Sequence, residues 1–304
     1  MVRMRPMIHE QVGSRDEPER RILVTGAAGF LGRAVLTALT PQYVIATSRD
    51  AAAVGASGAR WFFGDLSERG VWERLPRDIT DVVHLAARIP APGVDDAEFG
   101  ANEALAAHLL RQAAQWPLLR RVVVASTIAV YGPDVGPLDA RTAVGPTSAY
   151  GRSKDAAERL LNRLEVPVAH LRFSSVYGPG QPTHSVLPLF VALARSGSTL
   201  QVLEDGRREQ DFVFVSDAAK AVAHALESPS QGAFLIGSGR STSMRQLAET
   251  CLALAGPTGA RLESIARPDA APSVRLSIDR ARAALGYSPA VDLTAGIRRC
   301  FEGA

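Results

Sequence analysis

A tyrosine and a lysine four residues apart, Tyr150 and Lys154, could perform acid–base chemistry in this chain of 304 residues. Residues at this spacing share one face of a helix. A free tyrosine has a pKa of about 10, and a nearby ammonium stabilises its phenolate and lowers that pKa. Such a tyrosine can exchange a proton with a hydroxyl or carbonyl oxygen while a hydride leaves or joins the adjacent carbon. The alternative is a pair of surface side chains without chemistry.

A second hydroxyl donor precedes this helix, at the end of an apolar run. Thr127 and Ser126 are both candidates, since either hydroxyl could hydrogen-bond a substrate oxygen and stabilise developing negative charge. Both could instead satisfy backbone groups at a strand end. We predict that Thr127, Tyr150 and Lys154 are the catalytic residues and that Ser126 contacts the substrate.

A glycine turn with the spacing GxxGxxG, formed by Gly26, Gly29 and Gly32, lies between an apolar run and a helical stretch. One glycine allows the tight turn, one lets the backbone approach a pyrophosphate, and one permits close packing of helix and strand. The pyrophosphate then meets the free N–H groups and the positive end of the helix dipole. The flanking strand and helix favour a dinucleotide site, which includes Phe30 and Leu31, over a purely structural turn.

The residues after the second strand should decide which dinucleotide is bound, because they meet the adenosine ribose. Ser48 and then Arg49 follow this strand. An arginine there can pair with a 2′-phosphate, whereas an acid placed first would bind a free 2′-hydroxyl. Arg49 therefore favours NADP(H) over NAD(H), while Asp50 leaves NAD open. Both charges could also be solvated loop residues.

Short apolar runs alternate with amphipathic stretches in the first half of the chain. The predicted strands are Arg21–Thr25, Tyr43–Thr47, Trp61–Phe63, Asp81–Leu85, Arg121–Ser126 and Val166–Phe173. The predicted helices are Arg33–Thr40, Ala101–Ala114 and Tyr150–Leu164. This alternation indicates an α/β protein with a Rossmann-like, doubly wound parallel sheet that is covered by helices on both faces.

The pattern changes after Gly178-Pro179-Gly180, where the segments are shorter and proline is more frequent. We expect a helix over Val186–Ser196, a strand over Asp211–Val215 and a helix capped by Ser216-Asp217, followed by a segment over Ala233–Gly237 and a helix capped near Thr242. The predicted parts are a polar N-terminal tail, a Rossmann domain and a smaller substrate-binding domain with some segments that return to the sheet, over residues 1–20, 21–178 and 179–304.

Composition excludes several other classes of protein. Hydrophobic residues make up 46% and charged residues 21%, and the formal net charge of +3 is spread along the chain, which suits an anionic small molecule better than nucleic acid. Cys251 and Cys300 are far apart, so we predict no metal site and no disulfide framework, and we expect a reduced, cytoplasmic compartment. The first twenty residues lack a sustained apolar run, so neither a signal peptide nor a membrane anchor is expected.

From about Arg21 to its C-terminus the chain resembles the extended short-chain dehydrogenases/reductases, the group of sugar-nucleotide epimerases, dehydratases and reductases. The similar segments include TGAAGFLG, GDL, HLAA, STIAVYG followed by YGRSK, and LRFSSVYGPG. The resemblance implies a nicotinamide cofactor and a homodimer. It also implies that the cofactor contacts Asp65, Leu66, Leu85, Ala86, Ala87, Asn102 and Lys154.

Three departures from the family pattern bear on the substrate. The 4,6-dehydratases of the family carry an Asp-Glu pair directly after the catalytic threonine, but Ile128 and Ala129 stand there in this chain, which argues against dehydration. Many sugar-nucleotide members have asparagine where this chain has Ser175.

Many members also have an arginine directly before the DF step, where it holds the diphosphate, but this chain has Gln210. We therefore name Ser175, together with the nearby Arg208 and with Arg267 in ARPD, as candidate substrate contacts. Arg267 could equally be a solvated loop charge.

The leading hypothesis is a C4-directed enzyme for a nucleotide sugar, with Tyr150 as acid/base. A ketoreductase, which Arg49 favours, would take hydride from NADPH; an epimerase, which the segment pattern favours, would oxidise C4 and return the hydride to the other face. One alternative is an NADPH-dependent reductase of a polyketide or phenolic ketone, because ATSRD resembles the dihydroflavonol-type reductases. The other is a cofactor-sensing binding protein, against which the Thr/Tyr/Lys set argues.

Overall fold

The computed structural model describes residues 20–39, 44–53, 58–133, 137–139, 141–269 and 271–303. The strands, β1 to β12, are Ile22–Thr25, Val44–Ser48, Arg60–Phe63, Asp81–His84, Arg121–Thr127, Val168–Phe173, Ser175–Tyr177, Leu200–Leu203, Glu209–Phe214, Gly232–Ile236, Ser241–Ser243 and Leu262–Ile265. The helices, α1 to α9, are Phe30–Ala38, Arg69–Glu73, Gly100–Ala113, Ala149–Leu161, Val186–Arg195, Val215–Glu227, Met244–Ala255, Asp279–Leu285 and Leu293–Glu302. The predicted tail, except Arg20, and the predicted element ends at Thr40 and Tyr43 lie outside the described residues.

Seven parallel strands form the large sheet in the order β10-β6-β5-β4-β1-β2-β3. Strands β1, β4 and β6 are buried along their whole length, because helices cover both faces of the sheet. Helices α1 and α6 pack together on one face, and α3 and α4 on the other. The predicted Rossmann-like, doubly wound parallel sheet is confirmed.

The strand order reverses between β1 and β4, and ligands of open α/β sheets bind in the crevice at such a switch point. Thr25 and His84 end these two strands in register, and their side chains are joined by a hydrogen bond of 2.9 Å between Oγ1 and Nδ1. The next residue, Gly26, has a φ of 66°, and a Cβ there would lie 2.8 Å from the backbone nitrogen of Ala86. The sheet thus sets the glycine turn directly beside the loop that follows β4.

The second half of the chain builds a further apolar cluster, to which α5, α7 and α9 contribute Phe190, Leu247 and Ile297. Strand β9 pairs with β7 and β11, and β8 pairs with β12. Strand β10, however, joins the large sheet beside β6. None of the helices in the described ranges has the length and apolar character needed to span a membrane.

One predicted helix cap is wrong. Helix α6 begins at Val215, so Ser216 and Asp217 lie inside its first turn. The buried Asp217 carboxylate instead accepts hydrogen bonds of 2.8 Å from the backbone N–H groups of Ala290 and Val291. This carboxylate therefore ties α6 to a loop more than seventy residues away, a contact that local pattern cannot reveal.

Candidate active site

A cleft of about 1390 Å³ opens at the carboxyl ends of the parallel strands. Most of the predicted site residues line it: Gly26, Gly29, Phe30, Leu31, Gly32, Arg49, Asp65, Leu66, Leu85, Ala86, Ala87, Ser126, Thr127, Tyr150, Lys154 and Ser175. Asn102, Arg208 and Arg267 are not among its lining residues. A single cavity thus brings together the predicted cofactor and catalytic groups.

The glycine turn fits a dinucleotide pyrophosphate. A Cβ on Gly32 would lie 2.3 Å from the carbonyl oxygen of Gly26, so the turn and α1 can approach this closely only with glycine. Helix α1 starts after Gly29, which provides no side-chain cap, and no acidic residue stands in the first turn. Its first N–H groups therefore remain available to an anion, and the helix dipole favours negative charge there.

At the adenosine end of the cleft, Arg49 and Asp50 are both exposed, but they differ in their contacts. The Asp50 carboxylate accepts a backbone N–H two residues further on at 2.8 Å, and its backbone is bonded to the Ser48 hydroxyl. A hydrogen bond from the Ser67 amide, assisted by the charge of Arg49, lowers the pKa of Asp65. Asp50 is therefore turned to its own loop, and Arg49 lies near the acid that the family resemblance assigns to the cofactor.

Helix α4 carries Tyr150 and Lys154 on one face towards the cleft. Its N-terminus is fixed by Ser148, whose hydroxyl accepts the Gly151 N–H at 3.0 Å, as expected of a serine cap. The Phe99 ring packs against the Tyr150 ring with a centroid distance of 5.5 Å. Lys154 is buried, with 6% exposure.

The electrostatics of this group differ from the expectation. Burial raises the pKa of Tyr150 to about 12, and hydrogen bonding with Thr127 lowers it only in part. The predicted net fall in the pKa of Tyr150 is wrong, because desolvation of the phenolate outweighs the groups that favour it. Burial also lowers the pKa of Lys154 to about 8, against the opposing charge of Glu158. At neutral pH the site therefore holds a phenol and an ammonium, a pair suited to donating a proton to an oxygen.

The two candidate hydroxyls at the end of β5 point to different partners. Thr127 Oγ1 accepts the N–H of Ala129 at 3.1 Å and caps the 3₁₀ turn Ile128–Val130 on the cleft side. The Ser126 hydroxyl donates to Glu158, which is buried behind the cleft. The hydroxyl of Ser126 is therefore engaged in the core, and Thr127 is the one associated with Tyr150.

Asn102 joins two segments of the site from behind. Its side chain accepts the Arg88 N–H at 2.6 Å and donates to the Arg88 carbonyl and to Ser153 Oγ, each at 3.0 Å. The Ser153 hydroxyl donates in turn to the Tyr150 carbonyl at 2.8 Å. Asn102 thus holds the loop after β4 against the first turn of α4.

The predicted substrate contacts do not all meet at the cleft. Gln210 lines it and donates its side-chain amide to the Ser175 hydroxyl. Arg208 lies behind, where it donates to Asp269 at 2.8 Å and to Gln210 at 3.1 Å. Arg267 is exposed outside the cleft lining.

Sequence reasoning missed Glu158 and Arg172, which form a buried ion pair behind helix α4. One signal was present, because Glu158 follows Lys154 by four residues and so shares its helical face. Arg172, in the middle of an apolar run, gave no comparable signal.

The strand order, the glycine turn and the Thr127, Tyr150 and Lys154 group in one cleft define an enzyme of the extended short-chain dehydrogenase/reductase type. The model of the NAD-dependent epimerase/dehydratase family matches residues 22–237. The chain belongs to this family.

Known relatives of the chain include two bacterial sugar-nucleotide enzymes. It is 31% identical over 312 residues to the UDP-glucose 4-epimerase of Mycolicibacterium smegmatis, covering 93% of this chain and 97% of that protein. It is also 31% identical over 305 residues to a dTDP-glucose 4,6-dehydratase from Actinoplanes, covering 91% and 95%. Among solved structures, UDP-glucose 4-epimerase of Thermotoga maritima with UDP-glucose aligns with a TM-score of 0.84 at 26% identity, covering 93% and 97%.

Proposed function

We propose that this protein is a NAD(P)-dependent C4 epimerase of a nucleotide sugar, with Tyr150 as its acid/base. The observation that carries the proposal is the convergence of Tyr150, Thr127 and Lys154 on the cleft that contains the glycine turn. The sugar-nucleotide epimerases among the relatives support the same substrate class.

In this mechanism a nicotinamide cofactor bound in the cleft would supply the hydride acceptor and, in its oxidised form, a positive charge. For oxidation Tyr150 must first lose its own proton, and its phenolate would then accept the proton of the C4 hydroxyl. Thr127 hydrogen-bonds the C4 oxygen and stabilises its partial negative charge. Lys154, as an ammonium, favours the phenolate against the cost of burial. Once the keto-sugar has presented its other face, Tyr150 would return the proton to the C4 oxygen.

Dehydration is not part of the proposal, although one relative is a 4,6-dehydratase. Loss of water needs its own acid and base next to the catalytic threonine. In this chain Ile128 and Ala129 form the 3₁₀ turn directly after Thr127, and neither side chain can exchange a proton.

A C4 ketoreductase is the second candidate, and the state of Tyr150 favours it. A phenol with a pKa of about 12 is a proton donor at neutral pH, as reduction of a ketone requires. The exposed Arg49 suits the 2′-phosphate of NADPH, so we propose NADP(H) as the preferred cofactor. Ser175 and Gln210 offer no positive charge to a diphosphate, so this part of the cleft also suits a non-sugar ketone.

The deciding experiment incubates the purified protein with UDP-glucose, UDP-N-acetylglucosamine, dTDP-4-keto-6-deoxyglucose and an aromatic ketone, each with NAD(H) or NADP(H). Interconversion of C4 epimers without net consumption of cofactor supports the epimerase. Stoichiometric oxidation of NADPH with a keto-sugar selects the ketoreductase, and turnover of the aromatic ketone alone rejects a sugar substrate. The cofactor content of the freshly purified protein and its mass in solution, which tests the proposed homodimer, complete the assay.

A further inference from the structure

A buried ion pair lies directly behind the catalytic helix, and the mechanism above does not use it. Arg172 donates to Glu158 through Nε at 3.0 Å and through Nη2 at 2.6 Å, and the two residues are 8% and 4% exposed. Ser126 also donates to Glu158, and Arg172 donates to the Tyr131 hydroxyl at 2.7 Å. Every ion pair of this kind loses hydration when it is buried, so it contributes little stability beyond that of a well-packed apolar pair. Its presence here therefore suggests another role.

The position of Glu158 indicates what that role is. It follows Lys154 by one helical turn, and both side chains are buried on the same face of α4. Arg172 holds the carboxylate from the far side, from strand β6, where it is in register with Ser126. The carboxylate is thus fixed by groups from two strands, and Thr127, which directly follows Ser126, belongs to the same rigid frame.

The other titratable groups around Lys154 leave Glu158 as its counter-charge. His84 faces it from β4 and His170 from β6, and burial lowers their pKa values to about 3 and about 4, so both are neutral at pH 7. Tyr150, on the same helix, is a neutral phenol at that pH. Among the described residues, Glu158 supplies the negative charge that acts on Lys154.

We infer that Glu158, fixed by Arg172 and Ser126, is a positioning residue that keeps Lys154 in its ammonium form beside Tyr150. The catalytic importance of Glu158 rests on the proposed function, whereas its effect on the protonation of Lys154 does not. Burial alone lowers the pKa of Lys154, and the Glu158 carboxylate opposes this effect, with a net pKa of about 8. Without the carboxylate the amine would lose its proton at a lower pH and could no longer favour the Tyr150 phenolate.

The carboxylate is itself held in its charged form. Burial would raise the pKa of Glu158, but the hydrogen bonds and charge of Arg172 outweigh it, and the pKa lies below the usual range. Glu158 therefore stays ionised over the pH range in which Lys154 titrates. The Glu158 carboxylate therefore keeps its negative charge behind Lys154 throughout this titration.

The chain offers a direct test, because Lys154 and Lys220 are its only lysines. In the variant Lys220→Arg, protein labelled with [¹³Cε]-lysine gives one side-chain signal, from Lys154, whose chemical shift follows its charge. We expect the midpoint of its titration near pH 8. Adding Glu158→Gln should lower this midpoint by about one pH unit or more. An unchanged midpoint would overturn the inference.

The control is Asp81→Asn in the same Lys220→Arg background. The Asp81 carboxylate is also buried and accepts hydrogen bonds from Arg20 and Arg120 at 3.1 and 3.3 Å. It lies at the amino end of β4, whereas the cleft lies at the carboxyl ends of the strands. This variant should leave the Lys154 midpoint in place, and a shift as large as that of Glu158→Gln would count against a specific role of Glu158.

Glu158→Gln leaves Arg172 as an unpaired buried charge and could fail to fold. The double variant Glu158→Gln with Arg172→Met removes both charges and avoids this problem. The Lys154 midpoint should still fall, because Glu158, on the same helix face as Lys154, is the charge that raises its pKa, whereas Arg172 lies on β6. A midpoint equal to that of the parent protein would again overturn the inference.

Activity provides the second readout once a substrate has been found. The kcat/KM of Glu158→Gln should equal that of the parent protein near pH 6. Near pH 8.5 it should be about tenfold lower than that of the parent, because Lys154 of the variant has then lost its proton. Equal loss at both pH values indicates a structural role and contradicts the inference. If neither the parent protein nor any variant turns over a substrate, the proposed function fails, whereas the lysine titration still decides the role of Glu158.

Discussion

Gly151 packs its bare backbone against the carbonyl group of Ala129, so closely that a Cβ there would lie 2.1 Å from the oxygen. This contact sets the first turn of α4, which carries Tyr150, directly against the 3₁₀ turn that follows Thr127. The association of the two candidate catalytic side chains, Tyr150 and Thr127, therefore depends on a residue that has no side chain of its own.

Replacing Gly151 with alanine should separate these two turns. We expect a loss of about 1–3 kcal/mol in the free energy of unfolding, because the backbone must shift to admit the methyl group. Turnover should fall by more than tenfold, since a displacement of about 1 Å can cost that much. Urea denaturation and steady-state kinetics measure the two effects.

Gly100→Ala is the matched control, since Gly100 is also at the start of a helix but a Cβ there meets no atom within 4 Å. It should be neutral or stabilise the fold by up to about 1 kcal/mol, because alanine has the higher helix propensity. Equal effects of the two substitutions would show that the close contact at Gly151 does not matter.

Tyr150→Phe removes only the phenolic hydroxyl. The proposed acid/base role predicts a fall in kcat of about 10²–10⁴-fold with unchanged cofactor affinity. Tyr287→Phe is the control, because the buried Tyr287 hydroxyl donates to the Gly237 carbonyl away from the cleft. It should cost about 1 kcal/mol of stability and leave kcat intact. Retention of activity by Tyr150→Phe would exclude the proposed mechanism.

A hydrogen bond from Gln210 to Ser175 joins the two positions at which many sugar-nucleotide members of the family have an arginine and an asparagine. If a diphosphate lies there, Gln210→Arg should lower the inhibition constant of UDP by about tenfold, since a hydrogen bond to a charged group contributes about 1.5–3 kcal/mol. Gln210→Met, which removes the amide and adds no charge, should not tighten binding. A UDP inhibition constant unaffected by the arginine would favour a substrate without a diphosphate at this point.

Arg49→Gln tests the cofactor preference. The exposed guanidinium should contribute to NADPH binding and not to NADH binding, so the Kd of NADPH should rise by about tenfold or more while that of NADH stays within about twofold. Fluorescence titration of both cofactors measures this ratio. Parallel losses for the two cofactors would indicate that Arg49 does not meet a 2′-phosphate.

Acid should destabilise the fold through its buried histidines. Burial lowers the pKa of His84 from 6.5 to about 3, so between these values the unfolded chain binds the proton and the folded chain does not. The free energy of unfolding therefore falls as the pH drops below about 6.5. His84→Gln should make the decrease in this free energy between pH 7 and pH 5 smaller by about 2 kcal/mol. Urea denaturation at the two pH values measures this difference. If the variant and the parent protein lose the same free energy of unfolding between pH 7 and pH 5, His84 does not remain neutral in the folded protein.

The sequence alone was enough to predict the parallel sheet and the helix face that carries Tyr150 and Lys154. Apolar runs and amphipathic stretches predicted the parallel strands, because burial on both faces demands near-continuous apolar residues. The spacing of Gly26, Gly29 and Gly32 predicted the pyrophosphate turn, and the four-residue spacing placed Tyr150 beside Lys154. These properties are local, so they can be recognised from a short stretch of chain.

Tertiary structure decided what each polar group contacts. In the folded chain the Ser126 hydroxyl donates to Glu158 and Arg208 donates to Asp269. The Asp217 carboxylate, which the sequence placed at a helix cap, instead accepts a hydrogen bond from a distant loop. Tertiary structure also raised the pKa of Tyr150, where spacing alone predicted that it would fall. Hydrogen-bond partners far apart in sequence, and the loss of hydration on burial, arise only when the chain has folded, so no local pattern contains them.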